Sequence, residues 1–144
     1  MSNTSAKRDV YLCDIDGTLA DYRGIRDVYD DSRVHLDKTL PTVDVIQSIF
    51  AAGKDIIFVS GRGDNCRRGT EKWLLDKVGF CNDLFMRKSG DFRSDEIIKK
   101  EIYDKHIKDN YNVLGVFDDR LKVIRMWESL GLFVFNCNQG NIEF

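Results

Sequence analysis

Proline is nearly missing from this chain: Pro41 is the one instance in 144 residues. With no proline-rich stretch, no internal repeat and no low-complexity tract, nothing divides the chain into domains joined by a linker. Cysteine pairing signatures are missing too. Cys13, Cys66, Cys81 and Cys137 are widely spaced, and the absence of a C-x-x-C pair removes the zinc and dithiol-redox readings, leaving free thiols in a reducing compartment. No apolar run approaches the length of a membrane span, and the polar lead at residues 1–8 has no signal-peptide core, so no membrane partner and a cytoplasmic location are expected. Excess charge of either sign is also lacking. A net charge of -2 provides no global basic field, and any polyanion would have to be gripped locally. What is there, 42% hydrophobic and 32% charged residues, describes a single globular domain over residues 1–144, large enough to bury a full core.

Strand-length apolar runs alternate with amphipathic segments. Residues 10–13 (Val-Tyr-Leu-Cys) read as a buried strand. Residues 20–40 are polar with little periodicity and read as a loop or flap. Pro41 suits a helix start, followed by an apolar stripe of Val43, Ile46, Ile49 and Phe50, with Gly53 as the stop. Further strands are expected over residues 55–60, 83–86, 112–117 and 132–136. Helices are expected over residues 65–78, 93–107 and 121–130, with Trp73, Leu74 and Val78 inward in the first and Ile97, Ile98 and Ile102 inward in the second. The β-α alternation implies an α/β fold of three layers, a Rossmann-like parallel sheet with helices on both faces. Ligands of such sheets sit outside the carboxyl ends of the strands.

Those ends collect the unusual residues. The first strand runs into Asp14-Ile15-Asp16-Gly17-Thr18, two carboxylates at i and i+2, a spacing that lets both converge on one side just past the strand end. Like charges so placed call for a cation or for chemistry that uses them. The second strand ends at Ser60, followed by Arg62, Arg67 and Arg68. Arg87, Lys88 and Arg93 follow the third, and Asp118 and Asp119 close the fourth. Carboxylates with room for water suit Mg²⁺, a hard ion that prefers oxygen ligands. Arginines and lysines around them suit phosphate. An aspartate in such a setting can accept a phosphoryl group. His35, His106, Trp73 and Trp127 read as structural.

This constellation resembles the haloacid dehalogenase superfamily of phosphatases. Asp14 to Thr18 looks like its first motif, which implies Asp14 as nucleophile and Asp16 as acid/base. Ser60 looks like the second, Lys99 or Lys100 like the third, and Asp118-Asp119 like the fourth. Within the superfamily the chain is similar to the 3′-phosphatase domain of bacteriophage polynucleotide kinase/phosphatase. The similarity runs through residues 14–20, Val59-Ser60-Gly61-Arg62, residues 90–95, Lys99, residues 105–107, Asp118-Asp119-Arg120 and Met126-Trp127. It implies catalytic roles for Asp14, Asp16, Ser60, Arg62 and Lys99. Metal ligation is implied for Asp14, the Asp16 carbonyl and one of Asp118 and Asp119. Aligning Tyr29-Asp30 with the family's Tyr-Asp puts Arg26 on a substrate-binding position. Arg62, Asp95 and Lys99 fall on such positions as well, and Arg67 and Arg93 are further candidates. Asp95 would position Lys99 or Arg62.

That family usually carries a P-loop kinase ahead of the phosphatase, and this sequence has no G-x-x-x-x-G-K-[ST]. It is expected to be a stand-alone or excised phosphatase without a large cap domain, served by a separate kinase or ligase and acting on DNA or RNA 3′ ends. Two other functions remain open: a nucleotidase or small-molecule phosphomonoesterase, and a non-catalytic phospho-acceptor or Mg²⁺-binding module.

Overall fold

In this computed structural model, residues 6–27 and 30–144 are described; Tyr29 and most of the polar lead lie outside them. The central strand is β1 (Arg8–Cys13), which begins two residues earlier than its apolar run suggests. Arg8 pairs in register with Tyr111 and bonds the Asp55 carboxylate at 2.8 Å. On one side β1 pairs with β4 (Asp55–Gly63), which pairs with β5 (Asp83–Arg87); on the other it pairs with β6 (Tyr111–Asp118), which pairs with β7 (Val134–Asn136). All of these pairings are parallel, in the order β5-β4-β1-β6-β7. The strand order reverses at β1, so the crevice of this sheet opens at the carboxyl ends of β1 and β6.

The two faces bury different halves of each strand. Cys13, Ile56 and Phe58 pack under α1 (Thr42–Ala51) and α2 (Arg67–Lys77), against Val43, Ile46, Trp73 and Leu74. Val10, Leu12, Ile57 and Val59 pack under α3 (Asp95–Ile102) and α4 (Leu121–Ser129), against Ile98, Val123 and Trp127. This is the period-two alternation of strands covered on both sides. An extra residue in β6 shifts the β1 pairing between Val10 and Tyr11. That bulge puts Val116 on the α3/α4 face, and Asp118, two residues on, falls on the same face.

The segment expected as a loop or flap over 20–40 is partly regular. It holds β2 (Ala20–Asp21) and β3 (Lys38–Thr39), an antiparallel pair, and a 3-10 helix at Asp31–Leu36. The third major helix is shorter than its periodicity suggests. Ser94 stands at its N-cap position without a side-chain capping bond, Arg93 lies outside, and beyond Ile102 it widens into a π-helical turn at Tyr103–Ile107. Ile97, expected inward, is 45% exposed, and Lys99 beside it is 1% exposed. The inward face of α3 passes through Ile98, Lys99 and Ile102, because a buried charge holds a position that an apolar pattern would give to leucine or isoleucine.

Candidate active site

Strand β1 ends at Cys13, so the alternation that would align Asp14 with Asp16 does not continue, and the two carboxylates meet different partners. Asp14 remains on the α3/α4 side. Its Oδ1 accepts from Lys99 Nζ at 2.8 Å and its Oδ2 from the Thr18 hydroxyl at 3.0 Å. Lys99 Nζ also donates to Asp118 Oδ2 at 2.9 Å. Lys100 points outward to Asp104, so the structure brings Lys99 and not its neighbour to the strand ends.

Asp16, beyond the turn, is clasped by two guanidinium groups. Its Oδ1 accepts from Arg26 Nη2 at 2.8 Å and from Arg62 Nη2 at 2.7 Å. Behind both stands Asp37. It accepts from Arg26 Nε and Nη2 at 2.8 Å each and from Arg62 Nη2 at 3.1 Å, while Thr70 of α2 takes Arg62 Nη1 at 3.0 Å. The side chains of Arg26 and Asp37 are 0% exposed. Asp37 and Thr70 escaped the sequence reading. The available signal was charge balance, since two buried arginines require buried acceptors. Its backbone is fixed as well, with Trp73 Nε1 donating to the Asp37 carbonyl.

The fourth strand end separates its two aspartates. Asp118 is saturated, taking Lys99 and the Trp127 indole N–H on Oδ2 and the backbone N–H groups of Asp119 and Arg120 on Oδ1. The Asp119 carboxylate is directed at Asp14 and into the concavity over Gly17, where an added Cβ would collide with it. Gly17 has φ +80°, a conformation glycine adopts without cost. Carboxylate oxygens of Asp14, Asp118 and Asp119 lie within 4.8 Å of one another. Burial, and then the Asp118 charge, push the Asp14 carboxyl well up despite Lys99. Burial also pushes Asp119 up to about 6. Burial works against the charge on Lys99, yet Asp118, Asp14 and Asp95 together hold its ammonium well above the usual lysine range. A hard, all-oxygen donor set with charge still to be neutralised fits Mg²⁺.

These groups line a cleft of about 580 Å³ with Tyr22, Arg62, residues 87–95, Arg120 and Lys122, a volume ordinary for a ligand site. The other candidates are placed as follows. Ser60 is buried, its hydroxyl accepting from the Arg62 N–H at 3.1 Å. Asp95 bonds Arg87 at 2.6 Å and Arg120 at 3.2 Å instead of Lys99 or Arg62. Arg67 is tied to Glu71 and the Leu84 carbonyl. Arg93 sits at the cleft but is held by Asp91 and Glu101.

Residues 8–142 match the family described as the polynucleotide kinase PNKP phosphatase domain. The chain belongs to that family. As a PNKP phosphatase domain it is a phosphomonoester hydrolase of the haloacid dehalogenase type. A protein of Autographa californica nuclear polyhedrosis virus, named as a bifunctional polynucleotide kinase/RNA ligase, is 38% identical over 138 residues, which span 92% of this chain and 20% of the viral protein. A chain of the Pnkp1/Rnl/Hen1 RNA repair complex superposes with a TM-score of 0.89 at 33% identity, covering 99% of this chain and 46% of that one. The chain thus spans half or less of the length of these relatives. The class C acid phosphatase of Bacillus anthracis shares the fold, with a TM-score of 0.63 at 16% identity over 92% of this chain and 67% of that one.

Proposed function

We propose that this domain removes the terminal 3′-phosphate from nucleic-acid strands, passing the phosphoryl group through Asp14. The observation that carries the reading is the Asp14–Lys99–Asp118 arrangement, with Asp119 alongside, in a cleft that no cap domain covers among the described residues. An uncovered site accommodates a phosphate at the end of a long strand. The names of the viral relative and of the repair complex both favour RNA as the strand, and both are consistent with a kinase or ligase working on the same ends, within one protein in the viral case. A reducing, cytoplasmic setting suits the four free thiols. No described helix is long and apolar enough to cross a membrane.

Asp14 and Asp119 would hold Mg²⁺, with Asp118 acting through Lys99. The ion would neutralise charge on the phosphoryl oxygens and on the attacking carboxylate. Lys99 favours the ionised, nucleophilic form of Asp14 against its burial, and Thr18 fixes its second oxygen so that one face is aimed at phosphorus. Arg62 reaches both Asp16 and the cleft. Its bond to an incoming phosphoryl oxygen would release Asp16 to take up a proton from solvent, give it to the leaving 3′-oxygen and later take one from the attacking water. Ser60 orients Arg62 through its backbone. Arg26, itself fixed by Asp37, bonds the same Asp16 oxygen and keeps it within reach.

The test is phosphate release with Mg²⁺ from an RNA oligonucleotide ending in a 3′-phosphate. Its 5′-phosphorylated isomer and a nucleoside 3′-monophosphate run alongside. Preference for the 3′-phosphorylated strand is expected. Equal turnover of the mononucleotide would make the domain a nucleotidase, and a single stoichiometric phosphorylation without turnover would make it a phospho-acceptor.

A further inference from the structure

Both tryptophans, Phe58, Phe80 and Phe117 are buried, and Phe133, Phe135 and Phe144 are 39% to 66% exposed. Phe92 differs. Its side chain is 94% exposed, and it stands in the wall of the cleft that contains Asp14 and Asp119. A lone exposed phenylalanine needs no explanation; what gives this one meaning is how its backbone is held. Arg87 Nη1 donates to the carbonyl before it, Asp91 O at 2.9 Å, and to the carbonyl after it, Arg93 O at 2.5 Å. The same guanidinium is anchored to the Gly61 carbonyl at 2.9 Å and to Asp95 at 2.6 Å. Asp91 accepts from the Arg93 backbone N–H and side chain, closing the turn. The main chain on both sides of Phe92 is therefore clamped to β4 and α3, while the ring is presented to water. Arg93 and Arg87 are spent on the clamp, and Lys88 and Lys122, which line the same cleft, make no ion pair among the described residues.

We propose that Phe92 is a stacking platform for a nucleobase near the phosphorylated end of the strand, with Lys88 and Lys122 meeting backbone phosphates. This extends the reading given above and depends on a nucleic-acid substrate. A rigidly held ring beside unpaired cations is the combination by which single strands are bound without sequence readout. It also gives the site a reason to prefer a strand end over a bare phosphoester. Base–aromatic stacking would contribute to binding of the strand and nothing to a substrate without a base.

The experiment compares Phe92→Ala, Phe92→Leu and Phe92→Trp with the parent protein. Binding of a fluorescein-labelled 3′-phosphorylated oligonucleotide is followed by anisotropy in an Asp14→Asn background. Turnover is measured on the same strand, on one with abasic sugars at its 3′ end, and on glycerol phosphate. The alanine and leucine variants should bind the strand roughly 5- to 100-fold more weakly, as expected for one lost stack, with KM raised to match. The tryptophan variant should bind at least as well as the parent. Rates on glycerol phosphate and on the abasic strand should not change. Unaltered strand binding by the alanine variant, or an equal loss on glycerol phosphate, would overturn the platform. The parent protein's own preference for the strand over glycerol phosphate reports separately on the substrate class. A parent that does not bind the strand at all would overturn both.

Discussion

With its ammonium 2.8 Å from Asp14 and 2.9 Å from Asp118, Lys99 opposes the burial and the Asp118 charge that push the Asp14 carboxyl up. Replacing it by methionine leaves those charges uncompensated, at a cost of about 3–5 kcal/mol near neutral pH. A carboxyl whose folded pKa is raised is penalised as pH rises and relieved as it falls. The Lys99→Met deficit should therefore shrink between pH 8 and pH 5, as measured by urea denaturation, and a deficit that grew on acidification would contradict this charge balance. Asp119 gives a second pH dependence. Its carboxyl is pushed up to about 6 by burial, so cation binding must displace a proton below that pH. The rise in Tm caused by millimolar Mg²⁺ should increase as pH rises through about 6, and Asp119→Asn should lose most of it. Asp118→Asn should instead lower Tm without Mg²⁺, because four donors converge on that carboxylate.

At the scale of elements, the turn after β1 does more than reverse the chain. Gly17 combines φ +80° with direct approach to the Asp119 carboxylate. Gly17→Ala therefore strains the backbone by about 1–2 kcal/mol and displaces a metal-ligand candidate. Gly53, with φ +93° and open space around it, is the control. Both alanine variants should lose stability in thermal melts, and only Gly17→Ala should also lose its response to Mg²⁺. The segment over 20–40 resembled a featureless loop because its order comes from Asp37, whose three guanidinium bonds reach 11 and 25 residues along the chain. No local periodicity encodes such a partner. Helix α3 read as amphipathic, but its inward face could not be set from apolar spacing while Lys99 occupied it.

For the whole molecule, a net charge of -2 means that affinity for the proposed strand would rest on the few cleft cations that make no ion pair among the described residues. With Lys88 and Lys122 as the two, the slope of log K against log salt for a single strand should be only about -1.4. A much steeper slope in the anisotropy assay would require further phosphate contacts. The five-stranded parallel sheet, its order of helices and the gathering of Asp14, Asp16, Asp118 and Asp119 at one rim could be read from the chain, whereas Lys99 entered only through the family resemblance. Strands and covering helices are written in short-range hydropathy, and the crevice position follows from βα topology alone.

The sequence by itself determined the layered α/β architecture and the acidic chemistry at the strand ends, because both depend on residue type and local spacing. The tertiary structure decided the pairing. It directed Asp14 to Lys99 and Asp16 to the two arginines, saturated Asp118 while leaving Asp119 directed into the cleft, and spent Arg67 and Arg93 on ion pairs while leaving Phe92 exposed. Partners of buried charges are chosen by proximity across the folded chain, and proximity at separations of 85 residues, as between Asp14 and Lys99, exists only once the sheet has formed.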